Sequence, residues 1–315
     1  MNIRWLPIAA ALLLSSFAQA PLSAQQGAGK PGRNPPPDLA NVSYGPHERN
    51  VLDLWKAKSA KPTPLVVHIH GGGFSKGDKA SVNPLLVKAC LEHGVSVASI
   101  NYRYSTQAIY PAPMADSARA VQFLRLHARE YNLDPKAFAA TGGSAGAGIS
   151  LWIGFHADMA DPASDDPVKR QSTRLTSMAV TACQTTYDPR EIAKLINPET
   201  GRHEALKLLF GVKPEEDSLT ATEAFPLYED ASPVNHLTAG APPVFLYYAS
   251  SMAPPRPGDL NAGIHHARFG YFLKEKMDKL GVECVLEVKG GKDERPPQEA
   301  GVELAEFMLK HFPKH

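Results

Sequence analysis

Apolar and polar positions follow two rhythms along this chain, and the switches between them mark its elements. Short, nearly continuous apolar runs read as buried strands: Leu65–His70, Val95–Ile100, Phe138–Thr141, Met178–Cys183, Pro243–Ala249 and Val282–Val288. Between them lie segments at helical spacing. Pro84–His93 ends on Gly94. Ala118, Val121, Leu124 and Ala128 place one apolar stripe along Asp116–Tyr131. Ala145–His156 is apolar enough to be a buried helix, and Ala267–Leu280 and Glu299–Phe312 complete the series. Asn41–Trp55, broken by Gly45-Pro46, reads as a leading antiparallel hairpin. Strand and helix alternate throughout. That predicts an α/β domain over residues 39–315, with a mostly parallel central sheet, helices on both faces and right-handed crossovers.

Two stretches depart from the alternation. Residues 184–240 hold a helical segment, His203–Phe210, among acidic residues and prolines. They follow a strand whose C-terminal end should face the site, so a small cap insertion is expected; the other reading is a surface elaboration. At the start, Arg4 precedes the apolar Leu6–Leu14, and Ala18-Gln19-Ala20 or Leu22-Ser23-Ala24 offers a small-residue cleavage site. Residues 1–24 therefore read as a secretory signal peptide. The expected protein is exported, periplasmic or secreted, with no stable membrane insertion once that segment is removed. Residues 25–38, rich in glycine and proline, read as a disordered or polyproline linker.

Composition adds bounds rather than identity. With 315 residues, 43% apolar, the chain is long enough for one large domain with a substantial core. A net charge of +1 and the lack of a basic cluster argue against a nucleic-acid partner. Cys90, Cys183 and Cys284 fall in predicted helices or strands and read as buried free thiols. None sits at metal-ligand spacing, so no metal and no cofactor is expected.

The chemistry concentrates in two glycine-rich joints. Gly142-Gly143-Ser144-Ala145-Gly146 lies between a predicted strand and a predicted helix. This is the G-x-S-x-G arrangement, which lifts a serine hydroxyl out of a sheet at a helix N-terminus. Upstream, the strand through Val66-Val67-His68-Ile69 runs into His70-Gly71-Gly72-Gly73-Phe74. Backbone N–H groups of Gly72 and Gly73, with that of Ala145, would stabilise the oxyanion formed during acyl transfer. The pair of motifs resembles the α/β-hydrolase superfamily, on its carboxylesterase and hormone-sensitive-lipase-like side, which includes bacterial feruloyl and acetyl esterases. The resemblance covers about residues 40–315. It implies the α/β-hydrolase fold, a nucleophilic Ser144 and a small-molecule ester substrate.

A serine nucleophile also needs a base, and the base an orienting partner. In the family these are a carboxylate after the strand corresponding to Pro243–Ala249 and a histidine after the last strand. This chain departs at both places. Ser250-Ser251-Met252-Ala253 follows the first strand, and Lys289-Gly290-Gly291-Lys292-Asp293-Glu294 follows the second. The long loop after Ala249 carries Asp259, His265 and His266 instead. One reading exchanges the roles: His265 or His266 is the base, oriented by Asp293, Glu294 or Asp259. The other takes both histidines as helix-capping or packing residues. Two functions follow: an exported serine esterase, or an α/β-hydrolase-fold binding protein that kept the elbow and lost the base.

Overall fold

The computed structural model describes residues 34–250, 252–289 and 300–314, so the expected signal segment lies outside the described residues. The leading hairpin is β1 (Leu39–Ser43) and β2 (Val51–Trp55), paired antiparallel. There follow β3 (Thr63–Ile69), α1 (Pro84–Glu92), β4 (Ser96–Ile100), α2 (Ala112–Leu126) and α3 (Ala128–Tyr131). Next come β5 (Leu133–Gly143), α4 (Ala145–Phe155) and β6 (Met178–Thr181). The insertion holds α5 (Pro189–Leu195), α6 (Pro198–Gly201), α7 (Glu204–Phe210) and α8 (Phe225–Ala231), with short 3-10 turns at Thr222–Ala224 and Pro233–His236. The chain closes with β7 (Val244–Tyr248), α9 (Leu260–Ile264), α10 (Arg268–Lys279), β8 (Cys284–Val288) and α11 (Ala300–His311).

The eight strands form one sheet in the order β1-β2-β4-β3-β5-β6-β7-β8. β2 runs antiparallel to β1 and β4, and every pairing from β4 to β8 is parallel. This is the architecture of the α/β-hydrolase fold. Parallel strands must be covered on both faces, which explains their unbroken apolar sequences. Leu86, Val87, Leu304 and Met308 of α1 and α11 pack with Val66, Val97 and Ala139 on one face. On the other, Val121, Leu124, Ile149, Leu273 and Met277 of α2, α4 and α10 pack with Val67, Phe138 and Leu246. Among the described residues no helix is long and apolar enough to cross a membrane.

The structure moves several expected boundaries. α2 begins at Ala112, four residues before the apolar stripe, because Pro113 suits a first turn in which no N–H need be donated. β5 begins at Leu133 rather than Phe138: Leu133 pairs with Thr63, and a register shift precedes the regular ladder from Phe138. β6 ends at Thr181, where Ala182 turns to φ 47°, so Cys183 lies beyond the strand. The three cysteines are buried and free. Asn34–Asp38, the end of the expected disordered linker, is tied to the domain. The Trp55 indole donates to the Pro35 carbonyl at 2.7 Å, Asn34 Nδ2 donates to the Val82 carbonyl, and Lys56 N–H donates to Asp38.

Candidate active site

The joint between β5 and α4 is too crowded for ordinary residues. A Cβ on Gly146 would lie 2.0 Å from the Ile69 carbonyl oxygen, and one on Gly142 would lie 2.5 Å from the same atom. Two glycines therefore let α4 leave the sheet directly against β3. Ser144 takes the strain of the reversal, at φ 52° and ψ −121°, a conformation held by the Ser144 N–H bond to the Thr181 carbonyl at 3.0 Å. Its side chain projects beyond the C-terminal edge of the sheet, at the N-cap position of α4.

The loop after β3 faces that serine. Gly72 sits at φ +113°, where a Cβ would meet the Lys76 carbonyl oxygen at 2.1 Å, so the turn excludes a side chain. Ser75 and Lys76 N–H groups close the turn onto the Gly72 carbonyl. His70 braces it from below. Its ring stacks on Tyr102 at 4.3 Å, its Nδ1 donates to the Gly71 carbonyl, and Tyr102 Oη donates to the His70 carbonyl at 3.0 Å. Arg49 Nη2 donates to His70 Nε2 at 3.3 Å, which requires a neutral ring; burial does hold its pKa down, to about 4. The N–H groups of Gly72, Gly73 and Ala145 donate to no protein acceptor among the described residues.

His265 follows α9 and meets Ser144 across 121 positions of sequence. Its Nε2 lies 2.8 Å from Ser144 Oγ. Its Nδ1 lies 2.9 Å from the Asn261 carbonyl oxygen, one helical turn back. A carbonyl only accepts, so Nδ1 carries the proton and Nε2 presents its lone pair to the serine hydroxyl. Burial lowers the His265 pKa, partly offset by the bond to Asn261. The arrangement is a hydroxyl poised to give its proton to a neutral imidazole.

The remaining candidates fall elsewhere. His266 uses Nε2 on the Ala253 carbonyl at 3.1 Å and Nδ1 to accept from Arg268 N–H, so both ring nitrogens are committed away from Ser144. Asp259 is exposed and caps α9, accepting from Ala262 N–H at 2.9 Å; it orients a helix and makes no bond to His265. Asp293 and Glu294 lie outside the described residues. His68 is a core residue bonded to Ser99, its pKa held near 3 by burial. Nothing in the side-chain pattern points to Asn261, whose contribution is a main-chain carbonyl. Its only trace is the i, i+4 spacing to His265.

A cavity of about 450 Å³ opens over this constellation. Phe74, Tyr187, Leu206 and Ile264 give it apolar walls, with Gly72, Gly73, Ser144 and His265 along one side. His203 and Ala205, at the start of α7, close it from the insertion, so residues 184–240 contribute directly to the site. His203 was not singled out from the sequence. Its Nδ1 caps α7 by accepting from Ala205 N–H, and its pKa is lowered by burial and then by the nearby His265.

The BD-FAE family model matches residues 52–251. The chain is 30% identical over 212 residues to "Probable carboxylic ester hydrolase LipM" of Mycobacterium tuberculosis, covering 66% of this chain and 46% of that protein. It is 27% identical over 223 residues to "Esterase LipQ" of the same organism, covering 69% and 50%. The chain thus spans about half the length of these curated relatives. Its fold matches that of an acetyl ester-xyloside bifunctional hydrolase from Caldicellulosiruptor lactoaceticus, with a TM-score of 0.62 and 22% identity over 82% of this chain and 86% of that one. A truncated carbohydrate esterase from gut microbiota gives a TM-score of 0.68 at 19% identity, over 87% and 95%.

Proposed function

Because the chain belongs to the BD-FAE family, we propose that it is a carboxylic ester hydrolase working through an acyl-serine intermediate on Ser144. The observation that carries this reading is the 2.8 Å contact between Ser144 Oγ and His265 Nε2. As Oγ attacks the ester carbonyl carbon, its proton passes to Nε2 and the carbonyl oxygen becomes an oxyanion. The N–H groups of Gly72, Gly73 and Ala145 receive that charge. The tetrahedral species collapses as the imidazolium returns the proton to the departing alkoxide, leaving an ester on Ser144. Water, deprotonated by the same Nε2, then releases the acid and restores the hydroxyl.

Among the described residues, the base's Nδ1 meets the Asn261 carbonyl rather than a carboxylate. A carbonyl fixes the tautomer and places a partial negative charge beside the imidazolium, which a full carboxylate would stabilise more strongly. The apolar walls and modest volume suit a small or medium acyl group. The names of LipM and LipQ support ester hydrolysis as the reaction. The reading extends to export through residues 1–24, on their charge and apolar pattern alone.

Hydrolysis of p-nitrophenyl acetate by purified wild type, with Ser144→Ala as control, tests the proposal. Turnover in wild type and its loss in Ser144→Ala are expected. No hydrolysis across a panel of short-chain esters would refute it.

A further inference from the structure

A second constellation lies at the other end of the nucleophile helix. His156 caps the C-terminus of α4, about 18 Å along the helix from Ser144 at 1.5 Å per residue. Asp230 comes from α8 and His236 from the 3-10 turn that follows it. One potential ligand atom from each lies within 4.8 Å of the other two, and the two imidazole rings sit 3.5 Å apart, centroid to centroid. We infer that His156, Asp230 and His236 form a binding site for a divalent transition-metal ion of the zinc type, which fastens the inserted segment to the central helix.

Two features beyond proximity point to a ligand. First, both rings are held by carbonyls through one nitrogen only. His156 Nδ1 donates to the Trp152 carbonyl at 2.9 Å, and His236 Nε2 donates to the Asp230 carbonyl at 2.7 Å. Each ring is thereby left with a lone pair on its other nitrogen, the second-sphere arrangement that metal-ligating histidines adopt. Second, the carboxylate is positioned. Tyr110 Oη donates to Asp230 Oδ2 at 2.5 Å, and the Trp152 indole donates to the Asp230 carbonyl at 3.1 Å.

The donor chemistry selects the ion. Two imidazoles and one carboxylate suit zinc and its neighbours, whereas magnesium and calcium call for oxygen-rich shells. Donors around a tetrahedral zinc ion stand roughly 3.4 Å apart for bonds of about 2.1 Å. The widest pair here, at no more than 4.8 Å, therefore needs to close by at most about 1.4 Å. Asp230 is exposed and His236 half-exposed, which gives them room to do so and gives the ion a path in. Water would complete the shell. The site is separate from the ester chemistry, and its consequence is mechanical: one ion would tie α4 to the segment that closes the cavity over Ser144.

The test uses the purified full chain, stripped with a chelator and titrated with Zn²⁺ by calorimetry. One ion per chain is expected, with Mg²⁺ and Ca²⁺ giving no heat. At a hundredfold excess over Kd, Zn²⁺ should raise Tm by roughly 5 °C. His236→Ala and Asp230→Asn should weaken binding by more than the roughly 10–100-fold that loss of an outer-sphere partner costs. Both variants should keep wild-type ester hydrolysis in chelator, which certifies their folding. Absence of Zn²⁺ binding by wild type overturns the inference. So does binding that survives unchanged in His236→Ala, which would place the ion elsewhere, such as between His203 and His265.

Discussion

The imidazole of His265 has a carbonyl behind it where a carboxylate ordinarily stands. The neutral ring is the working form, and burial moves its pKa below the usual 6.5. With no anion beside it among the described residues, kcat/KM should lose half its value on the acid side at a pH below 6.5. A pH–rate profile with that limb centred above about 7 would imply an unseen carboxylate. The neighbouring histidine makes a sharp control. His266→Ala should retain most of the activity, because its ring serves Ala253 and Arg268. Loss of activity in a folded His266→Ala protein would contradict the assignment of the base. Tyr187 offers a third test. Its hydroxyl is buried with no hydrogen-bond partner among the described residues, so Tyr187→Phe should not lower stability, since an unsatisfied buried polar group costs about 1–3 kcal/mol. A fall of more than ~1 kcal/mol in denaturant unfolding would mean that the hydroxyl has a partner.

At the scale of elements, the two glycine-rich joints do different work. Gly146 is set by close approach: a methyl group would lie 2.0 Å from the Ile69 carbonyl oxygen, a backbone atom at the end of the central strand β3. Gly146→Ala should therefore unfold or strongly destabilise the domain, by more than ~3 kcal/mol. A wild-type Tm for Gly146→Ala would refute the packing described for the elbow. Both joints were legible in the sequence because glycine is needed there for steric reasons that no other residue satisfies. The strands were legible for a related reason, since a sheet covered on both faces admits little but apolar residues. The proposed base was only half legible. His265 and His266 were both visible, but which one turns toward Ser144 depends on α9 ending at Ile264, and one residue of phase decides it. The carbonyl of Asn261 was invisible, because every residue carries one. Asp259 looked like a partner for histidine but serves as the cap of that same short helix.

Over the whole molecule, burial sets the response to acid. His68 and His70 are enclosed in the unfolded-to-folded transition and their pKa values fall from 6.5 to about 3 and about 4. The unfolded chain takes up protons below pH 6.5 that the folded chain refuses. Stability from this source is full above 6.5 and declines as pH falls toward the folded values. One pH unit below 6.5 the loss is on the order of 1 kcal/mol for each ring. Denaturant unfolding should show a lower midpoint at pH 5.5 than at pH 7.5; an unchanged or higher midpoint would contradict it. The group His156, Asp230 and His236 shows why some whole-molecule features escape a reading along the chain. Its members lie on α4, α8 and the turn after α8, brought together only by packing of the insertion on the domain.

The central claim is that Ser144 is a nucleophile activated by His265, and covalent labelling tests it most directly. Wild type and His265→Ala would be treated with a fluorophosphonate and followed by intact-mass and peptide mass spectrometry. A single adduct on Ser144 is expected in wild type. Labelling of the same residue is expected roughly 10²–10⁴-fold more slowly in a folded His265→Ala protein, the usual contribution of a general base. An adduct on another serine, or His265→Ala labelling at the wild-type rate, would contradict it.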